Sequence, residues 1–217
     1  PYKTLSFALS QITTASASKQ FCINYLGQGT ETNLILKPWI YIDGNNSSLT
    51  ITNAVTLDAS WSNGGMAYLK NFNTLELLGG TNIVFTSTTN FSILNLDNIV
   101  LTNNTAWNIT GPATFPALII FDKVLSYTVF PTIIFIDIFG AIFDSTFNAV
   151  SFTTSIASTQ SYNFTLTGVQ LKNSLTIDAP GAEGSAIKVY NTEILGSVTL
   201  SGGISTGITY NVDASSL

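Results

Sequence analysis

The sequence predicts an all-β protein, a right-handed, single-stranded parallel β-helix with a short N-terminal capping helix. Two observations favour this fold class. Short stretches such as 49–52 (Leu-Thr-Ile-Thr) and 198–201 (Val-Thr-Leu-Ser) alternate apolar and small polar residues, as strands with one buried face do. An apolar residue followed by a small polar one also recurs along the chain, at the spacing expected for one solenoid coil per repeat.

Six apolar anchors mark the expected repeat, namely Phe72, Leu96, Phe121, Phe147, Leu166 and Tyr190. The next one or two residues after each anchor are Asn, Asp, Thr or Gly, as in Asp97-Asn98 and Thr167-Gly168, and such residues favour sharp turns of the chain. We therefore expect equivalent apolar residues to stack from coil to coil and form a continuous interior. An antiparallel β-sandwich is the alternative, since it also has short alternating strands, but it does not explain the repeat.

Residues 1–20 are expected to form an N-terminal cap, and residues 21–217 the β-helix, within one domain. The apolar residues of the cap fall on one side of a helical projection, and they are Tyr2, Leu5, Phe7, Ala8, Leu9 and Ile12. A short amphipathic helix could cover the unpaired strand edges at the open end of a β-helix. Because the chain begins at Pro1 without an initiator Met, we also expect a fragment or a processed product.

Composition restricts the chemistry of the chain. The 217 residues include seven Lys but neither Arg nor His, so the usual general base, the commonest metal ligand and the bidentate anion fork are missing. The net charge of −5 argues against nucleic-acid binding. Charged residues interrupt every long apolar stretch, so we expect no membrane span. We expect no cofactor and no metal site.

The surface is expected to be partly covered by other subunits. Only 9% of the residues are charged and 45% are hydrophobic. Residues 130–139 (Phe-Pro-Thr-Ile-Ile-Phe-Ile-Asp-Ile-Phe) are apolar at successive positions, as in strands buried on both faces. We therefore predict an outer face buried between subunits around a threefold axis. The alternative is a coil covered by its own long loop.

Two further features bear on packing and location. Cys22, the single cysteine, lies between Phe21 and Ile23 and is expected to be buried, since free cysteine behaves as a small hydrophobe. Asn-X-Ser/Thr sequons matter if the chain passes through a glycosylating compartment. They begin at Asn45, Asn46, Asn90, Asn103, Asn108 and Asn163.

Three N-terminal phrases carry a family resemblance: 1–5 (Pro-Tyr-Lys-Thr-Leu), 21–31, and 34–44 with its apolar-Lys-Pro phrase before a Gly-ended strand. They resemble the entry helix, first strand and second coil of the pectin-lyase-like right-handed β-helix superfamily. The resemblance implies a fold and not an activity, because this scaffold serves enzymes, adhesins and viral tail spikes. The Asn-, Ile-, Thr- and Phe-rich composition is similar to that of β-helical fibre heads of large DNA viruses and phages.

The alternative hypothesis, that the protein is an enzyme, depends on its carboxylate residues. Enzymes of the resembled superfamily use Arg or His together with Asp, so each of those mechanisms lacks a member here. Asp97 and Asp122 follow equivalent anchors and are expected about 5 Å apart on adjacent coils. There they could form a glycosidase pair or a calcium site, with Lys123 as a candidate base. The alternative is a set of solvent-facing turn residues equivalent to Asn73 and Asn148.

The hypothesis that the protein binds a glycan depends on its aromatic residues, because aromatic faces stack on sugar rings. The candidates are Tyr25, Trp39, Tyr41, Trp61, Tyr68 and Trp107. Trp61 leads because it lies in a polar loop, and with Asp58, Asn63 and Tyr41 it makes up the predicted ligand-binding set. The alternative for Trp61 is packing over the edge of a coil.

Taken together, these features predict a non-enzymatic structural or receptor-binding head of a surface fibre or tail-spike-like assembly. We expect a homotrimer on a virion or extracellular surface, with a host glycan or surface receptor as its partner. A carbohydrate-active β-helix enzyme is one alternative. A cell-surface adhesin is another, for which occupied sequons would be the sign.

Overall fold

The computed structural model describes residues 2–58, 64–78, 82–86, 91–102, 105–112, 116–127, 130–154, 162–178, 186–201 and 209–210. Within these ranges one short helix and many strands form a parallel β-solenoid, which confirms the predicted all-β class. The helix is α1 (Leu5–Gln11). The strands are β1 (Phe21–Asn24), β2 (Gln28–Leu36), β3 (Ile40–Leu57), β4 (Gly65–Leu77), β5 (Asn82–Phe85), β6 (Ser92–Leu101), β7 (Trp107–Thr110), β8 (Ala117–Ser126), β9 (Thr132–Ile136), β10 (Phe139–Phe143), β11 (Thr146–Thr153), β12 (Asn163–Thr167), β13 (Gln170–Asp178), β14 (Ala186–Tyr190), β15 (Glu193–Ile194), β16 (Val198–Ser201) and β17 (Thr209–Tyr210).

The strands stack in parallel and line three faces of the solenoid. Sheet 1 contains β1, the first parts of β3, β4, β6 and β8, and then β10, β12, β14 and β17. Sheet 3 contains the last parts of β2 and β3, then β5, β7, β9, the last parts of β11 and β13, and β16. Sheet 2 is formed by the strand segments that lie between these two faces in each coil.

Apolar rows in register form the interior. On sheet 1 one inward row is no more than 2% exposed, and its members are Leu69, Leu96, Phe121, Ile142, Leu166 and Val189. On sheet 3 the matching row is equally buried and contains Val55, Ile83, Ile109, Phe135, Phe152 and Ile177. The rings of Phe121 and Phe135 meet edge to face across the interior at 6.0 Å between centroids.

The corner within β3 uses two residues with positive φ, Asn45 and Asn46, whereas from β4 onward one such residue turns the chain from sheet 1 to sheet 2 in each coil. These corner residues have φ between 44° and 67°, and they are Asn71, Asn98, Lys123, Asp144, Gly168 and Asn191. The intervals between them along the chain are all unequal, so the coils differ in length. The predicted use of small polar residues at the turns is confirmed, with Lys123 as the exception. Gly168 also has a packing reason, because a Cβ there would collide with Asp144 Oδ1.

Three of the six predicted anchors are in the wrong register. Leu96, Phe121 and Leu166 occupy one inward row, as predicted, but Leu69, Ile142 and Val189 hold the other places in it. Phe72 pairs with Ile99 beyond the corner, Phe147 pairs with Leu171 in sheet 2, and Tyr190 points outward. The error arises because each coil has several inward residues that a polar residue follows.

Helix α1 packs on β2 and so covers only part of the first coil, whereas a groove separates it from β1. Leu5, Ala8 and Leu9 are buried. Tyr2 and Phe7, which were expected on the same face, are instead 61% and 53% exposed and contact each other. The boundary at residue 20 remains a prediction, although β1 starts at the next residue. Within the described ranges no helix is long and apolar enough to cross a membrane.

Candidate functional site

The outer surface of sheet 1 carries apolar residues at positions where a solvent-facing sheet usually carries polar ones. Four of them stand in register on successive coils and form the first apolar column, Met66, Ile93, Leu118 and Phe139. Each is half-buried in the single chain. Parallel neighbours lie about 4.8 Å apart, so the column forms a continuous ridge.

A second outward column runs beside the first. It contains Tyr41, Tyr68, Asn95, Ile120 and Ala141, and it continues with the polar residues Thr165 and Lys188. The rings of Tyr41 and Tyr68 contact each other at 5.0 Å between centroids. Asn95 interrupts the apolar series, and its Oδ1 is shielded from solvent without a hydrogen-bond donor among the described residues. Together the two columns make the apolar surface of sheet 1.

The outer surface of sheet 3 is predominantly polar by comparison. One of its columns is Ile35, Thr56, Val84, Thr110, Ile136, Thr153, Asp178 and Ser201. The apolar run 130–139 contributes Ile134 and Ile136 to this surface, where both are half-buried. Polar residues border them on the coils before and after. Phe139, the last residue of the run, lies instead on the outer surface of sheet 1. The subunit interface inferred from the run remains a prediction.

A third outward column on sheet 1 is charged, and it begins with a well-bonded carboxylate. Its members are Asp43, Lys70, Asp97 and Asp122. Asp43 Oδ1 accepts a hydrogen bond from the backbone N–H of Asn45 at 3.0 Å, which is the main reason why the pKa of Asp43 lies below its ordinary value. Partial burial acts in the opposite sense. The Asn71 amide, at 3.1 Å, and the Lys70 ammonium, at 3.3 Å, lower the pKa further.

At the other end of the charged column, the negative charges of the carboxylates are poorly compensated. Asp97 pairs directly with Asp122 on the next coil, so the structure places the two carboxylates next to each other. Burial raises the pKa of Asp122 above its ordinary value, the charges of Asp97 and Asp144 raise it further, and Lys123 opposes the rise. Asn73 and Asn148, which were expected at equivalent positions, lie instead beyond the corner. Two like charges on adjacent strands destabilise the sheet.

Catalysis by this carboxylate pair would need a cleft around it. Asp97 and Asp122 stand on an open sheet surface, and neither lines the cavity that the described residues form at the N-terminal end. Lys123 is exposed at its corner rather than buried beside the carboxylates. Among the described residues no three Asp, Glu or Cys side chains group as a metal site would require.

The predicted ligand-binding set is only partly visible. Tyr41 lies on the outer surface of sheet 1, whereas Asp58 follows the sheet 3 part of β3, and its N–H donates to Leu36 O at 2.9 Å. Trp61 and Asn63 lie outside the described residues. Of the six sequon asparagines, Asn90 and Asn103 lie outside them too.

The other aromatic candidates divide between surface and interior. Trp107 is fully buried, whereas Tyr25 is half-buried, packs against Phe72 and lines the cavity at the N-terminal end. Trp39 is half-buried, and its ring lies so close to Gly65 that a Cβ there would collide with it. Of these aromatic candidates, Tyr68 is the one that pairs with Tyr41 on the outer surface of sheet 1.

Sequence reasoning missed the apolar surface of sheet 1, although a signal for it existed. Segments 117–121 (Ala-Leu-Ile-Ile-Phe) and 139–143 (Phe-Gly-Ala-Ile-Phe) lack the alternation of polar residues expected for strands with one wet face. The two segments pair with each other in sheet 1. The surface thus arises from the same position repeated over several coils rather than from one long apolar run. No family model, curated protein or solved structure matches this chain.

Proposed function

We propose that this chain is a non-enzymatic structural or attachment domain of a surface fibre or tail-spike-like assembly, and that it assembles as a homotrimer. The apolar surface of sheet 1 is the observation that carries the proposal. A trimer on a virion or extracellular surface, built on a pectin-lyase-like β-helix, is the form that we expect.

The apolar surface favours assembly for a physical reason. Full burial of an exposed apolar side chain is worth about 1.5–3 kcal/mol. The side chains of the first column are already half-buried, so each gains only part of this amount, but the column repeats the gain over four coils. Exposed apolar patches of this kind commonly mark interaction sites. A rigid, repetitive ridge on each copy suits a symmetric contact around an axis parallel to the solenoid.

Sedimentation of the purified chain tests the proposal. We expect a species with three times the chain mass of 23.2 kDa at micromolar concentration. A clean 23.2 kDa monomer under those conditions would contradict it. A dimer would retain the assembly role and reject the threefold axis.

A matched pair of variants locates the contact. Leu118→Lys places a charge in the first apolar column, and we expect it to weaken assembly by about ten- to a hundredfold, which corresponds to the loss of one buried side chain. Thr110→Lys places the same charge on the outer surface of sheet 3 and should leave assembly unchanged. Thermal unfolding of both variants checks that the fold is intact.

Glycan binding is the second candidate function, and the contact between Tyr41 and Tyr68 favours it. Their adjacent rings could stack on a sugar, and the Asp43 carboxylate, two residues from Tyr41 on the same outer surface, could accept hydrogen bonds from hydroxyl groups. A glycan array, with reducing ends assayed in the same wells, tests this idea. Binding that Tyr68→Ala abolishes would support it, whereas cleavage would favour an enzyme and direct attention to Asp97 and Asp122.

A further inference from the structure

The first rung of sheet 1 has an open edge. Among the described strands, β1 pairs with β3 alone. The N–H groups of Phe21 and Tyr25 donate to carbonyl groups of the next coil at 3.0 and 2.8 Å. Backbone groups alternate sides along a parallel strand, so those of Cys22 and Asn24 point to the opposite edge. Such an edge can accept another strand.

The inward side chains of β1 are incompletely covered. Phe21 and Ile23 stand in register with Ile40 and Ile42, which are both only 1% exposed. Phe21 and Ile23 occupy the same inward rows but remain half-buried. One more rung on sheet 1 would bury them as fully as their neighbours on the next coil.

Helix α1 is held away from this edge at both of its ends. The Glu31 carboxylate, which is 7% exposed, accepts hydrogen bonds from Leu5 N at 2.6 Å and from the Ser6 hydroxyl at 2.5 Å. Lys37 Nζ donates to Ile12 O at 3.0 Å, just beyond the C-terminal end of the helix. Glu31 and Lys37 both belong to or adjoin β2, so these contacts fix α1 over β2 rather than over β1.

A groove therefore lies between the helix and the first strand. Its volume is about 640 Å³, within the usual range of binding pockets. Leu5, Ala8 and Ile12 form the helix wall, whereas Phe21 and Ile23 form the strand wall. The groove thus combines apolar side walls with a row of backbone donors and acceptors at strand spacing.

We propose that this groove binds an extended peptide strand, which pairs with the open edge of β1 and places alternate apolar side chains against Phe21 and Ile23. A strand supplies donors and acceptors at every second residue, as the backbone of Cys22 and Asn24 requires, and a compact apolar molecule does not. A second whole copy fits less well, because it would have to enter beside α1.

Cys22 provides a position-specific probe, since it is exposed and is the only cysteine in the chain. The probe peptide is acetyl-Lys-Thr-Ile-Cys-Ile-Thr-Lys-amide, which reads the same in both directions and places isoleucines on either side of a cysteine opposite Cys22. The control peptide, acetyl-Lys-Ile-Thr-Cys-Thr-Ile-Lys-amide, has the same composition with its apolar residues on the other face. In a glutathione buffer, we expect the probe to form the mixed disulfide at least about tenfold more than the control, as effective concentration dictates.

A non-covalent measurement tests the backbone contact. In Cys22→Ser protein, with serine in place of cysteine in the peptide, we expect slowed hydrogen exchange at the amides of residues 22 and 24. Asn24→Pro removes an N–H on the open edge of β1, and it should reduce peptide affinity at least about tenfold at an unchanged melting temperature. Asn24→Ala retains the N–H and should bind as the parent does.

Several outcomes would overturn the inference. Equal trapping of the two peptides, or full binding to a folded Asn24→Pro protein, would reject strand addition. Uptake of anilinonaphthalene sulfonate in the groove, without protection of the two amides by peptide, would identify a small-molecule site instead. Rapid formation of a Cys22–Cys22 dimer that resists peptide would identify a second copy as the occupant.

Discussion

Sheets 1 and 3 have similar interiors and different exteriors. Both contribute inward rows of Leu, Ile, Val and Phe that are almost completely buried. Outside, sheet 1 presents two largely apolar columns and one charged column between β3 and β10. The exterior of sheet 3 presents mainly Thr, Ser and Asn, with scattered apolar residues such as Ile35 and Ile136 among them. The stacking of coils thus requires apolar residues only inside. The difference outside must reflect something other than folding, and contact with another molecule is the explanation that we favour.

The largest expected loss of stability comes from truncating a buried ring, and we expect this loss to be similar on sheets 1 and 3. Phe121→Ala on sheet 1 and Phe135→Ala on sheet 3 each remove a fully buried ring. Each should lower the free energy of unfolding by about 3–5 kcal/mol, because a cavity remains in the packed interior. Denaturant titration measures this loss. The outward changes Ile120→Ala and Thr110→Ala should cost far less, and a similar loss from either would contradict the division into inside and outside.

An intermediate effect would test the charged column, which distinguishes the exterior of sheet 1. Asp43→Ala removes the acceptor for Asn45, Asn71 and Lys70. We expect a loss of about 1–3 kcal/mol in the free energy of unfolding at neutral pH, the usual contribution of hydrogen bonds to a charged group. Asp178→Ala, on the outer surface of sheet 3, is the matched control and should lie within about 0.5 kcal/mol of the parent. Equal losses would remove this contrast between the sheets.

The smallest effect concerns the pH dependence of stability and has the opposite sign. The pKa of Asp122 is raised above its ordinary value of 3.8, so the folded state binds this proton more tightly than the unfolded state does. The resulting stabilisation is complete below that value and is lost as pH rises through the raised pKa. Asp122→Asn should therefore be more stable than the parent at neutral pH, by an amount that decreases towards pH 3.8.

Paired denaturant titrations at acidic and neutral pH measure this difference. A stability difference for Asp122→Asn that grew as the pH fell would contradict the expected sign.

The sequence predicted the coil well and the alignment between coils poorly. Alternation within strands and a small polar residue at each corner are local signals, so the solenoid and residues such as Asn98 and Gly168 could be found. Which residues face each other on neighbouring coils depends on the length of each coil, and that length changes from one corner to the next. Three of six anchors were therefore misplaced, and the apolar surface of sheet 1 was not recognised.

Individual side chains were harder still to place. Cys22 was expected in the interior because its neighbours are apolar, but alternation along β1 directs it outward, where it is exposed. Phe7 was placed on the buried side of α1 by its helical projection, yet the helix packs only a narrow stripe on β2. For Cys22 the alternation of the strand decided the outcome, whereas for Phe7 it was the narrow contact of α1 with β2, which the sequence does not show.

The single-residue corner has a consequence for how such a chain can change in length during evolution. The turn from sheet 1 to sheet 2 uses one residue both in the long coil from Asn71 to Asn98 and in the shorter coil from Lys123 to Asp144. The difference in length between these two coils therefore lies in other parts of the coil. A change in loop length can then alter what one coil displays while the corner of that coil stays the same.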